Sequence, residues 1–221
     1  MPGHTVPPES FHALDDLTFE IPRGEYFGII GQNGSGKSTL TQVIAGIAVP
    51  NAGRVEVWGT VLPLLEVGAG FHVELTGREN ISLLASILGL DASVAVRETP
   101  RIAAFAGVER HLDTPIKRYS SGMQARLSFA TAICFPADVY IFDEVLAVVD
   151  DDFRERCTRE LAELNAQGRT VVFMSHDLEL VRSMCTTGMW LDRGRARLLG
   201  GIDEVAAAYE RATHEEGVTS P

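Results

Sequence analysis

The stretch that most constrains this chain is Gly31-Gln32-Asn33-Gly34-Ser35-Gly36-Lys37-Ser38, which follows the apolar run Tyr26 to Ile30 and opens into Thr39-Leu40-Thr41-Gln42-Val43-Ile44. The order is strand, glycine-rich loop, helix. A phosphate chain needs several backbone N–H groups converging on it, and glycine lets a backbone turn sharply and approach closely. Gly31, Gly34 and Gly36 supply that freedom. The helix beginning near Lys37 turns the positive end of its dipole toward the anion, Lys37 adds a full charge, and the Ser38 hydroxyl suits magnesium. These residues form a P-loop pattern.

Length and composition bound what surrounds it. The 221 residues suggest one domain spanning 1–221, and 45% hydrophobic content allows a sizeable core. No apolar run approaches the ~18 residues needed to span a bilayer. Residues 1–10 carry three prolines and read as a loose leader without the basic and apolar regions of a signal peptide, so a cytosolic chain is expected. Cys134, Cys157 and Cys185 are odd in number, widely separated and without metal-ligand spacing, so they read as buried small hydrophobes. A net charge of −11 opposes a nucleic-acid partner.

In chain order, Leu17 to Ile21 alternates like a half-buried strand, and Tyr26 to Ile30 is apolar enough for a central one. Arg54 to Trp58 alternates again, and Val61 to Val67 is a further short β segment. Together these predict an antiparallel sheet flanking the nucleotide. The middle third changes in kind. Thr76-Gly77-Arg78-Glu79-Asn80 caps an apolar-periodic run to Leu90, and Pro100 to Val108 forms a second amphipathic run, so a helical insert over about 77–135 is expected. Strand character returns at Val139 to Phe142. A charged helix follows from about Asp152 to Gln167, then the strand Thr170 to Met174; strands alternating with helices imply a parallel, doubly wound sheet. Gly188 to Leu199 reads as a hairpin turning at Asp192-Arg193-Gly194. Ala206 to Ala212 reads as helix, and 213–221 as a frayed tail.

Two further stretches carry chemistry. Asp143 and Glu144 end a buried apolar strand, where a carboxylate is costly unless it meets a cation or a donor. Asp143 fits a magnesium ligand, through water, and Glu144 fits a general base acting on the attacking water; the alternative is a solvated acidic pair at a strand end. Tyr119-Ser120-Ser121-Gly122-Met123-Gln124 precedes a helix beginning near Met123. Its N–H groups and serine hydroxyls suit phosphate oxygens, the alternative being an ordinary serine N-cap. It lies far along the chain from Lys37, so the two need not share a pocket in one subunit.

The P-loop, the serine-glycine signature, the strand ending in Asp143-Glu144 and the turn Ser175-His176-Asp177, in this order, resemble the ATP-binding-cassette (ABC) ATPases from about Phe11 to Leu199. The resemblance implies an α/β fold: a RecA-like P-loop NTPase core, a flanking antiparallel β subdomain and an α-helical subdomain. It implies ATP and Mg2+ bound at Gly31 to Thr39, with Lys37 on the phosphates, Glu144 as base and His176 on the γ-phosphate. It also implies a head-to-tail homodimer. Ser120, Ser121, Gly122, Met123 and Gln124 of one subunit then close the partner's ATP, and Asp150 lies in the loop through which the subunits sense each other.

The signature reads Tyr119-Ser120-Ser121-Gly122-Met123 after Leu112 to Arg118. Gly68 to His72, Glu74 to Asn80 and Asp143 to Val148 add further likeness to the exporters of O-antigen, capsule and teichoic-acid polysaccharides. That subgroup implies a polytopic membrane permease handling a lipid-linked polysaccharide, with the ATPase on the cytoplasmic face of the membrane and the permease docked on Gly77 to Val108. A cassette ATPase serving another transporter, translation or DNA repair is the alternative, and a P-loop kinase is disfavoured by the signature and histidine turn. Two departures stand out. No glutamine occurs between Gln42 and Gln124, so Glu66, then His72, are candidates for the missing magnesium-linking residue, Glu66 as a metal ligand beside Ser38 and Asp143. No aromatic stands at positions 5–10, leaving Phe11, His12 or His4 against adenine. About twenty residues follow the terminal hairpin, too few for a separate sugar-reading domain, so substrate selection is expected to lie in the permease and the lipid carrier.

Overall fold

Each apolar run read as a central strand is one, and all of them join a single six-stranded sheet. The computed structural model describes residues 12–64, 70–143 and 151–218. The strands are β1 (Tyr26–Ile30), β2 (Val61–Leu64), β3 (Val139–Asp143), β4 (Thr170–Met174), β5 (Thr187–Asp192) and β6 (Arg195–Gly201), in the order β2-β3-β4-β1-β5-β6. Every pair is parallel except β5 with β6. β1 and β4 are buried along their whole length, as an unbroken apolar run requires of a strand covered on both faces.

Among the described residues the α-helices are α1 (Lys37–Ile44), α2 (Gly77–Ile87), α3 (Ala92–Ala106), α4 (Ser121–Cys134), α5 (Asp151–Ala166), α6 (Leu178–Met184) and α7 (Ile202–Val218). Alternate residues along the strands sort into two cores. Phe27, Ile29, Ile141, Val172 and Met174 pack with Leu40 of α1 on one face. Tyr26, Ile30, Tyr140, Phe142, Val171 and Phe173 face α5, α6, α7 and the helical insert on the other. An aromatic row ties the insert to the sheet: Phe173 to Phe142 at 5.4 Å, Phe142 to Phe129 of α4 at 5.4 Å, and Phe129 to Phe153 of α5 at 5.9 Å. Helix α4 is buried from Leu127 to Cys134, so its far end is anchored while its first residues reach the surface.

Several expectations are corrected. Val61–Leu64, read from sequence as part of an antiparallel flank reaching Val67, is instead an edge strand of the main sheet, parallel to β3 with Pro63 opposite Ile141; residues 65–67 lie outside the described residues. An edge position tolerates proline because one side of the strand has no ladder partner. Leu17 to Ile21 and Arg54 to Trp58 form no strand. The alternation in the first segment is genuine, since Leu17, Phe19 and Ile21 lean on the core with Phe19 stacked on Phe27, but alternation reports one-sided burial and not pairing. In the second segment Trp58 is 80% exposed, with no face to bury. Among the described residues β5 and β6 are the antiparallel pair of strands.

The second amphipathic run begins at Ala92, not Pro100, because proline is accommodated inside α3. Both Pro100 and Val96, whose carbonyl lacks its usual donor, face solvent. Helix α7 runs from Ile202 to Val218, past the expected fraying point at 213. Its side chains Ile202, Val205 and Ala206 are buried under the sheet, and Arg182 of α6 holds Glu210 through two hydrogen bonds of 3.0 and 2.9 Å. Cys134, Cys157 and Cys185 are buried free thiols, as read from sequence.

Candidate nucleotide-binding site

Parallel strands deliver their C-terminal ends to one edge, and that edge collects the chemistry. Asp143 pairs with Met174, Met174 pairs with Ile29, and Ile30 with Trp190. The loop after Ile30, the end of β3 and the turn after Met174 therefore leave the sheet side by side, where ligands of open α/β sheets bind. The Ser175 N–H donates to the Ile29 carbonyl at 3.3 Å, tying the histidine turn to the strand that feeds the glycine loop.

The loop is shaped by two left-handed glycines, Gly34 at φ 80° and Gly36 at φ 107°. Gly31 is required for a different reason: a Cβ there would stand 2.3 Å from the Leu191 carbonyl and 2.6 Å from Ser35 Oγ. Helix α1 starts with Gly36 as its cap, without a side-chain cap and with no acidic residue in its first turn. Its first N–H groups thus keep their capacity for an anion. Lys37 is 6% exposed, and its ammonium donates to the carbonyls of Gly31 at 2.7 Å and Gln32 at 3.1 Å. The buried ammonium bridges the start of the loop, while Gln32, Asn33, Gly34 and Ser38 are exposed and Thr39 is half-buried. Ser35 Oγ is buried without a hydrogen-bond partner among the described residues. A cradle with a buried cation, a helix N-terminus without a side-chain cap and an orphaned hydroxyl fits a polyphosphate.

Other predicted site residues fall partly inside and partly outside the described residues. His176 is exposed on the turn next to the loop-bearing strand, and Asp177 caps α6 by accepting from Leu180 N–H at 3.1 Å. Asp143 occupies the end of β3. Glu144, Asp150, Glu66, Phe11 and His4 lie outside the described residues, as do Gly68, Ala69 and the segment Glu144 to Val148. His12 is exposed at the start of the described chain. His72 is exposed, and its Nδ1 accepts from Glu74 N–H at 3.3 Å. Among the described residues no cluster of three metal-ligating side chains occurs. The Ser38 hydroxyl, in the first turn of α1, is a hard oxygen of the type magnesium takes, and it stands at the sheet edge where β3 ends.

The signature is built at the opposite end of its own helix from the sheet. Ser120 caps α4, its Oγ accepting from Met123 N–H at 3.2 Å, so the helix starts at Ser121, two residues before the expected position. Ser120 and Ser121 are exposed, and Gly122, Met123 and Gln124 are half-buried. A Cβ on Gly122 would meet nothing nearer than Arg126 Nη1 at 3.9 Å, so no atom of its own subunit demands glycine there. The Gln124 amide donates to the Ile116 carbonyl at 3.3 Å and fixes the approach to the helix.

Sequence reasoning missed the support around both motifs. Asn80, 0% exposed, accepts from His72 N–H and donates to the carbonyls of His72, Leu75 and Thr76. The same segment is bonded to the approach of α4: Ile116 N–H donates to Leu75 at 2.9 Å, and Lys117 N–H to Val73 at 3.0 Å. Thr76 and Glu79 form the capping box that the sequence pattern announced. The polar residue inside an apolar-periodic helix was the available signal for Asn80.

The sheet order, the loop and the histidine turn define an α/β nucleotide-binding fold of the P-loop type. Residues 14–147 match the family model described as ABC transporter, and the chain belongs to that family. It is 39% identical over 200 residues to the O-antigen export system ATP-binding protein RfbB of Klebsiella pneumoniae, covering 90% of this chain and 81% of that protein. It is 41% identical over 200 residues to the teichoic acids export ATP-binding protein TagH of Bacillus cereus, covering 90% of this chain but 36% of that relative's length. The fold superposes on a dimeric post-hydrolysis state of the ATP-binding cassette MJ0796 bound to ADP and Pi with a TM-score of 0.78 at 21% identity, over 90% of this chain and 94% of the other. No helix among the described residues is long and apolar enough to cross a membrane.

Proposed function

We propose that this chain hydrolyses ATP as the nucleotide-binding subunit of an exporter of a lipid-linked polysaccharide, of the O-antigen, galactan, capsule or teichoic-acid type. The observation that carries the ATPase reading is the buried Lys37 ammonium bridging the Gly31 and Gln32 carbonyls at the sheet edge that also holds Asp143 and the His176 turn. The export reading rests on what the relatives are named for, together with the signature and the Gly77 to Asn80 stretch.

In this reading the N–H groups at the start of α1 and the Lys37 ammonium hold the β- and γ-phosphates. Ser38 and Asp143 hold magnesium, with Glu66 as a further oxygen donor. Magnesium supplies neutralisation of charge developing on the phosphate oxygens. Glu144 orients water and accepts its proton, and His176 holds the γ-phosphate. Ser120, Ser121 and Gly122 complete the site of a second copy: the exposed serines and a glycine that its own subunit does not need suit a ligand arriving from outside. Asp150 senses that contact. The subunit works at the cytoplasmic face of the membrane, held by a polytopic permease on the surface Gly77 to Val108, where Ile87 is 62% and Val96 73% exposed. No nucleic acid enters the reading.

The test is co-expression of the chain with candidate polytopic permeases encoded beside it, followed by purification and magnesium-dependent ATPase assay in liposomes. A stable complex whose turnover rises with lipid-linked polysaccharide is expected. A complex that hydrolyses ATP but responds only to another substrate class would overturn the export reading and leave the ATPase reading standing.

A further inference from the structure

Two segments remote from each other in sequence, the β5–β6 turn and residues 13–15, meet against the P-loop, and neither belongs to the site described above. The Gly194 N–H, in the turn between β5 and β6, donates to the Ser35 carbonyl at 2.8 Å. The Gly194 carbonyl in turn accepts from the Asp15 N–H at 2.8 Å. Both polar groups of one residue are therefore committed, one to the phosphate loop and one to the segment leading into the fold. The Asp15 carboxylate is gripped by the next residue of the turn, with Arg195 Nε at 2.9 Å.

Sterics give the same picture independently. A Cβ on Gly36, the cap of α1, would stand 2.6 Å from the Ala13 carbonyl oxygen, and a Cβ on Gly194 would stand 2.7 Å from that same oxygen. One carbonyl thus touches both the loop and the turn. Among the described residues, the non-glycine residues with left-handed backbone are Asp16 at φ 53° and Arg193 at φ 47°, and both flank this contact. Strained backbone persists where surrounding contacts over-determine it, and it concentrates at functional sites.

We propose that the β5–β6 turn is a clamp that positions the P-loop: Gly194, backed by the Asp15–Arg195 pair, sets where Ser35 and Gly36 stand and hence how well Lys37 and the start of α1 meet a nucleotide's phosphates. Gly194 and Arg195 are positioning residues and touch no ligand. The turn is also the end of the antiparallel β5–β6 pair, on which α7 packs, so displacement of that hairpin reaches the phosphate loop through one hydrogen bond. The inference rests on the phosphate-binding reading of residues 31–39.

The experiment compares ATP affinity, read with a fluorescent ATP analogue, and unfolding midpoint without nucleotide in four purified full-length proteins: parent, Lys37→Ala, Gly194→Ala and Gly168→Ala. Gly168 is the control. It is also left-handed, at φ 70°, but its Cβ would meet nothing within 4 Å, and it precedes β4 at the sheet edge away from the loop. Substitution there carries the same backbone strain without touching the clamp. Gly194→Ala is expected to bind the analogue at least tenfold more weakly, while Gly168→Ala, strained but without a clash, loses less stability and keeps parental affinity. Equal affinity in the two glycine variants overturns the clamp. Parental affinity in Lys37→Ala overturns the phosphate-loop reading itself, a distinguishable failure. If Gly194→Ala does not fold, the exposed pair decides: Arg195→Asp should weaken affinity about threefold and the swap Asp15→Arg/Arg195→Asp should restore it, whereas unchanged affinity in Arg195→Asp overturns the proposal.

Discussion

The Asn80 side chain closes both hydrogen bonds of one residue, its Oδ1 taking the His72 N–H at 2.6 Å and its Nδ2 giving to the His72 carbonyl at 3.1 Å. It thereby fixes the turn from His72 to Leu75, whose Leu75 N–H donates to the His72 carbonyl at 3.0 Å. Because Leu75 and Val73 of that segment accept from Ile116 and Lys117, the position of Ser120 and Ser121 depends on a residue forty positions earlier.

Asn80→Leu tests this. The replacement is nearly isosteric but leaves the His72 N–H without its partner, while the carbonyls of His72, Leu75 and Thr76 keep the N–H donors of Leu75, Ile116 and Asn80. Orphaning one part-buried donor costs roughly 1–3 kcal/mol, so a loss of about 2 kcal/mol in chemical denaturation is expected. A loss under about 1 kcal/mol would show that water replaces the amide. Affinity for ATP at the P-loop should be unchanged, since Asn80 supports the signature and not the loop.

Lys37→Ala and Glu144→Gln separate binding from chemistry. Removing the buried ammonium takes away a charge-assisted contact, so ATP affinity should drop about tenfold or more. Glu144→Gln should bind ATP like the parent and hydrolyse it at least about a hundredfold more slowly, because an amide still orients water but is no base. Parental turnover by Glu144→Gln would remove that residue from the mechanism.

Mixing Lys37→Ala with Ser121→Arg tests sharing between subunits. Each variant alone is inactive at both composite sites. A mixed dimer carries one intact site, so a fraction of the parental rate should reappear on mixing. Persistent inactivity at every ratio, with dimers formed in solution, would count against the shared site.

The thiols give a pH prediction. Burial pushes Cys134 and Cys185 up to about 12, because the thiolate cannot be solvated. With folded values above the unfolded ones, their contribution to stability is complete below the unfolded thiol range and is lost as pH rises toward 12. At pH 8.5 a maleimide dye should label neither in the native protein and both after unfolding. Rapid native labelling of Cys134 or Cys185 would contradict their placement.

The chain's local chemistry was legible without a structure. Gly31 to Ser38 reads as a phosphate loop because the conformational freedom such a loop needs is glycine's and the charge it needs is carried by Lys37. Strands β1, β3 and β4 declare themselves because a strand covered on both faces must be apolar throughout. The capping box at Thr76 and Glu79 and the turn at Asp192-Arg193-Gly194 are likewise local patterns, complete within four residues. What the tertiary structure decided is everything that depends on a partner remote in sequence. Val61–Leu64 could pair in either direction until β3 was placed beside it, and Leu17 to Ile21 alternated for a face without a neighbouring strand to bond. Gly194 is an ordinary turn glycine in sequence; that its N–H bonds Ser35 and its carbonyl bonds Asp15 follows from where two other segments happen to pass. Asn80 looked like a polar interruption in an apolar helix until the backbone of 72–76 supplied its partners. Periodicity reports which side of an element is buried, and hydrogen bonds between distant segments are set by which backbones the packed core brings within about 3 Å.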